Sequence, residues 1–374
     1  MQAQMINYLN KLKMLNEDYQ SYIITGLVII ILIIIIVCVI YFRRLMTIEC
    51  NFMNNIYSAV NGNIKPISAN DPDCSGNLCD YYIQTAYNAC SGGAIVNDYV
   101  DVCNLKAIIK QGVRCLDFEI YSIDNNPVVS TSTTQGDFFV KETFNSVNFS
   151  DVMTTIQDYA FSGGTCPNPT DPLIIHLRFQ SNNQQMFTNL ANIFMSYDTI
   201  MLGKQYSYEN SGTNLGSLPL LSFQNKVILI ADKSNPAFLE NTNLLEYINL
   251  CSNSIFMRLS NYYNVKNNPD IGELTEYNKK CMSIVLPDIG ANPSNPSGIL
   301  CRASGCQMVA MRYQLVDSLL MENTAFFNST NYAFALKPIE LRYTVITIPD
   351  PTPQNPDYSY ATRNVSSDYY NFNM

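Results

Sequence analysis

Apolar positions follow three different patterns along the chain. Residues 23 to 42, IITGLVIIILIIIIVCVIYF, run for twenty positions without a charge. At 1.5 Å per residue such a helix crosses a hydrocarbon core of roughly 30 Å. A cleaved signal peptide would have a shorter apolar run and a small-residue cleavage site. Here the leader, 1–22, is long and ends near the acidic Glu17 and Asp18. The pattern therefore predicts one transmembrane helix over 23–42. Arg43 and Arg44 follow it directly, and the positive-inside rule then puts everything beyond on the cytoplasmic side.

From about residue 51 onward, short apolar runs alternate with amphipathic stretches. The runs at 113–121, 172–179, 225–232, 256–259, 281–286 and 307–314 predict strands. Helical periods at 100–112, 147–161 and 183–197 each precede one of the first three, the first stopped by Gly112. Strand, helix, strand at this spacing argues for parallel βα units, and six or more such strands for a barrel. The third regime is the tail, 346–374, rich in Pro, Asn and Tyr. It has no helical or strand period, so it is expected to be extended and to serve as a docking arm.

Composition narrows the function. Only 14% of residues are charged and the net charge is −9, which removes any general attraction for nucleic acid. Twelve cysteines accompany a single histidine. That argues against zinc and leaves disulfides open. Asn148, Asn328 and Asn364 head glycosylation sequons, which stay bare on the cytoplasmic side.

Several segments carry a family resemblance. GCQMVAMRYQ (305–314) followed by FFNSTNYAFALKPIELR (326–342) resembles the second catalytic half of phosphoinositide-specific phospholipase C. GVRCLDFEIY (112–121), PVVSTSTT (127–134), DVMTTIQDYAF (151–161), PLIIHLRFQSNNQQ (172–185) and KVILIADK (226–233) resemble segments of the first half and the start of the second, in order. The resemblance implies an α/β fold, a distorted TIM barrel of the phospholipase C-like phosphodiesterase type over 51–345. Its halves would cover 56–204 and 225–345, joined by a linker at 205–224.

The family's reaction is attack of the inositol 2-hydroxyl on the phosphodiester, with two histidines as acid and base and, in the eukaryotic type, calcium. Here Tyr87 stands at the first histidine position and Thr131 at the second. Of the calcium ligands, the resemblance retains Asn88 and an exchanged carboxylate pair, Asp117 and Glu119. Arg178 falls where a further acidic ligand belongs. His176, the lone histidine, reads as structural. Arg178, Lys233 and Arg312 remain as pocket cations, with Ala231 at a lost lysine position. The expectation is a pseudoenzyme without calcium, with a structural or binding role and a phosphoinositide head group as candidate ligand. The anchor and the Asn- and Ile-rich composition resemble membrane proteins of large nucleocytoplasmic DNA viruses. This implies a virion internal membrane and other virion or membrane proteins as partners. The alternative is an active phosphodiesterase with Tyr87 and Asp117 as an atypical acid–base set.

Overall fold

The computed structural model describes residues 2–133, 140–344, 349–353, 355, 358 and 360–374. Eight parallel strands form its body: β1 (Tyr81–Ala86), β2 (Cys115–Ile123), β3 (Leu173–Phe179), β4 (Val227–Asp232), β5 (Leu250–Ser252), β6 (Met257–Asn261), β7 (Met282–Leu286) and β8 (Met308–Met311). Their spatial order, β5-β4-β3-β2-β1-β8-β7-β6, is chain order wrapped into a ring. Every neighbouring pair along that path is parallel. Among the described residues the ladder is open between β5 and β6, so the expected closed barrel is a nearly closed one. Only residues 253–256 separate those two strands. That leaves no length for the returning helix that parallel neighbours require, and a turn closes the gap, with Ser254 N–H donating to Met257 O at 3.0 Å.

Helices alternate with the strands. α1 (Gln2–Ile56) precedes the barrel; α2 (Val102–Lys110), α3 (Phe149–Ala160) and α4 (Gln184–Ser196) follow β1, β2 and β3. Short antiparallel strands at Asn126–Ser130 and Phe334–Leu336 flank β2 and β1. The three helices predicted beside the early strands are present within a few residues. Ile271–Lys280 and Ser318–Thr330 are the longest of the helices without a counterpart among the predicted elements, and strands β1 and β5 have none either.

The strand alternation sorts the core into two layers. Cys115, Ile174, Ile228, Ile230, Met282, Ile284 and Met308 pack together inside the barrel. Leu116, Phe118, Ile175, Leu177 and Leu229 face the other way, onto Phe149, Phe187 and Phe194 of the helices. Because side chains alternate along a strand, Asp117 and Glu119 share the inner face with Cys115, and His176 and Arg178 share it with Ile174.

α1 is one unbroken helix, longer than the predicted 23–42. Its segment from Tyr19 is long and apolar enough to cross a membrane, and none of its most apolar stretch is buried. Past Phe42 the same helix lies against the barrel. The Tyr99 hydroxyl donates to Phe42 O at 2.9 Å, Phe42 and Phe144 meet edge to face, Met53 is buried, and Cys50 is disulfide-bonded to Cys103 at the start of α2. Residues 343–374 form a separate unit. Within it Asn364–Ser366 pairs antiparallel with Asn371–Asn373. The tail expected to lack strand structure thus holds a small hairpin, its ends joined by mutual backbone hydrogen bonds of Arg363 and Met374.

Gly112 ends α2 at φ +83°, where its N–H reaches Ile109 O at 2.9 Å. A Cβ there would stand 3.0 Å from Ile64 Cγ2 and 3.1 Å from Pro167 Cγ. Gly112→Ala is expected to cost about 1–2 kcal/mol from the backbone alone. The melting temperature should fall by roughly 2–8 °C, as read by differential scanning calorimetry.

Candidate functional site at the barrel mouth

The C-terminal ends of the parallel strands carry a buried charge cluster. The β2–β3 register sets Asp117 beside His176 and Glu119 beside Arg178. The Arg178 guanidinium points inward and donates to three residues. Nε reaches Asp117 Oδ1 at 2.9 Å, Nη2 reaches Asp117 Oδ2 at 2.7 Å and Asn88 Oδ1 at 2.8 Å, and Nη1 reaches Glu119 Oε1 at 2.8 Å. Asn88 turns the chain after β1 with φ +43°, a conformation asparagine tolerates better than most. That turn aims its N–H at Asp117 and its amide at Glu119. Glu119 Oε2 accepts from the Tyr121 hydroxyl and Ser132 N–H. Burial alone would raise the Asp117 carboxyl, but Arg178 and the His176 hydrogen bond outweigh it and hold it well below the usual range. Burial likewise opposes the Arg178 charge, and Asp117 and Glu119 more than reverse that effect.

His176 belongs to the same cluster. Its Nδ1 lies 2.7 Å from Asp117 Oδ1 and its Nε2 2.9 Å from Ser252 Oγ, with all three residues buried. Ser252 Oγ in turn lies 3.2 Å from Asp232 Oδ1. Neither Ser252 nor Asp232 was singled out from the sequence. The available signal was a single acid closing the apolar strand VILIAD at the barrel face where sites lie.

Above the cluster opens a cleft of about 530 Å³, with Tyr87, Glu119, Arg178, Asp232, Asn235 and Asn261 among its walls. Tyr87 packs its ring under Arg178, 5.0 Å from centroid to guanidinium carbon; burial pushes its hydroxyl up to about 12. Thr131 is buried and donates its hydroxyl to Ile95 O at 2.6 Å.

Two of the three expected pocket cations are elsewhere. Alternation turns Asp232 inward and Lys233 outward, where Lys233 Nζ meets Glu209 Oε2 at 2.7 Å and covers the Tyr208 ring. Arg312 is buried beside the mouth loops, donating to Gly93 O at 2.8 Å and to Pro293 O. It ties two loops together and does not line the cleft.

Family models for the X and Y domains of phosphatidylinositol-specific phospholipase C match residues 74–233 and 240–340. The chain belongs to this phospholipase C family. Among solved structures the barrel is similar to PLC21 of L. pealei, with a TM-score of 0.58 at 18% identity over 72% of this chain. PLC21 of S. officinalis gives 0.55 at 17% over 72%. The match takes in 38% of each of those chains, so the likeness is one of fold. No curated protein sequence matches this phospholipase C-like chain.

Removing Arg178 would leave two carboxylates facing each other in the barrel. Arg178→Met is expected to lose roughly 3–5 kcal/mol, the cost of breaking a buried pair, measured by denaturant unfolding at pH 7. The folded Asp117 pKa is depressed, so its contribution in the unmodified protein is present above about pH 4. It is lost only as pH falls through the lower folded value. In Arg178→Met the deficit should shrink as the medium is acidified and the unpaired carboxyls take up protons.

Proposed function

We propose that this chain is a membrane-anchored phospholipase C barrel that no longer cleaves phosphodiesters and acts as a binding module. The observation that carries this reading is the Arg178 guanidinium, bonded at once to Asn88, Asp117 and Glu119. Those are the residues that would ligate calcium. A hard divalent cation needs six to eight oxygen ligands, several of them carboxylates. Here the same oxygens are engaged by a fixed internal cation, and a second positive charge a few ångströms away would be repelled. The donor set does not fit calcium.

The acid–base positions support the same conclusion. Tyr87, its hydroxyl pushed up to about 12 by burial, is a poor base at neutral pH. Thr131 has no titratable group and its hydroxyl is held by Ile95 O. Asp117, the other half of an atypical pair, is fully buried and bonded to both Arg178 and His176. The apolar run of α1 supplies the anchor. With Arg43 and Arg44 at its end the barrel faces the cytoplasm. The setting suggested by the sequence resemblance is an internal virion membrane, with other virion or membrane proteins as partners.

The full chain in detergent micelles should show no hydrolysis of phosphatidylinositol or its phosphates, with or without calcium. Tyr87→His with Thr131→His should stay silent, because Arg178 remains. Turnover above a no-enzyme blank in the unmodified protein would overturn the proposal. Calcium gives a separate check by calorimetry: the unmodified protein should melt at the same temperature with calcium or chelator. Arg178→Glu, which returns a carboxylate to the site, should gain a calcium-dependent rise.

A further inference from the structure

The charges around the mouth cleft select a ligand of the opposite kind from an inositol phosphate. Among the described residues, Glu119, Arg178 and Asp232 are the charged side chains lining the cleft. Arg178 gives four of its five N–H donors to Asn88, Asp117 and Glu119, so both carboxylates are its partners there. Lys233 and Arg312 are held outside the cleft by Glu209 and by backbone carbonyls. The one cation lining the cleft among the described residues, Arg178, is thus already balanced by two carboxylates.

Asp232 is different. Its Oδ1 takes Ser234 N–H and hydroxyl, the Ser252 hydroxyl and the Asn253 amide. Its Oδ2 receives no hydrogen bond among the described residues, and it has no ion-pair partner among them. The carboxylate is therefore fixed by four donors on one oxygen and offers the other to the cleft. The other polar walls of the cleft are neutral acceptors and donors, including Ser260, Asn261 and Asn264. A carboxylate held this way repels a phosphate and pairs with an ammonium group, whose N–H donors the neighbouring amide and hydroxyl oxygens also satisfy.

We propose that the cleft binds a small alkylammonium group with Asp232 Oδ2 as its counter-ion. This rests on the binding-module reading and names its ligand class. Two sources share this chemistry: the amino head group of a zwitterionic lipid and a free amine in solution.

The test uses the full chain and ethanolamine, tetramethylammonium and inositol 1-phosphate as probes, at matched ionic strength, by calorimetric titration. Saturable binding of one or both ammonium probes, and none of inositol 1-phosphate, is the expected result. Asp232→Asn keeps an Oδ1 acceptor for Ser234, Ser252 and Asn253 and removes the charge. Its affinity should fall roughly tenfold or more, with the ligand-free melting temperature close to that of the unmodified protein. Equal affinity in the two proteins, no ammonium binding, or tighter binding of inositol 1-phosphate would overturn the proposal. Reconstitution into nanodiscs then assigns the source. Ethanolamine binding weakened by phosphatidylethanolamine discs, relative to phosphatidylglycerol discs, means a lipid head group; equal binding in both means a free amine. Phosphatidylinositol cleavage by the same preparation would sink the binding-module reading, whereas absent ammonium binding without cleavage sinks only the ligand class.

Discussion

Two carboxylates on the inner face of one strand must be reconciled before this barrel can close. β2 places Asp117 and Glu119 there by alternation alone, and neither side chain has appreciable access to water. The neighbouring strand answers with Arg178, whose planar fork reaches both acids and Asn88. Such a cluster contributes little net stability over an apolar core of equal volume. Its consequence is positional: with Arg178 in place, the turn at Asn88, the Tyr87 ring and the Ser132 backbone each have one geometry. The cluster's two negative charges are met by a cation built into the chain itself.

The fold was largely legible because the βα rhythm is carried by long aliphatic runs. β2, β3, β4 and β7 are apolar enough on both faces to stand out. β1 was missed because YYIQTA mixes aromatic and polar residues, and its neighbourhood was read for a catalytic motif instead. β5 is three residues long, too short for any period to register. Ile271–Lys280 is mostly polar and Ser318–Thr330 interleaves asparagine and threonine with its apolar positions, so neither shows a clean stripe. The tail hairpin rests on strand segments of three residues each, below the reach of the same reading.

The site divides along the same line. Asp117, Glu119, Arg178 and Asn88 were placed together because two of them alternate on one strand and the others follow from the family motifs. Lys233 was misplaced because a family motif fixes a position in the chain and not the face of the strand. β4 is buried on both faces, so its burial gave no warning, and the odd-numbered positions look away from the barrel interior. Arg312 reads as a pocket cation in sequence, but burial beside Gly93 and Pro293 makes it a loop tie. His176, read from the sequence as structural, is enclosed. Its coupling of Asp117 to Ser252 depends on a strand that the sequence did not reveal.

The unbroken passage of α1 from its apolar run onto the barrel has a mechanical consequence. Phe42, at the end of that run, touches the barrel through Tyr99 and Phe144, and Cys50 is bolted to α2 only eight residues on, about 12 Å along the axis. A flexible leash would let an anchored domain tumble and sample every orientation above a bilayer. This attachment behaves as a rigid stalk. It removes the rotational freedom, so the direction of one helix sets the direction in which the mouth of the barrel looks.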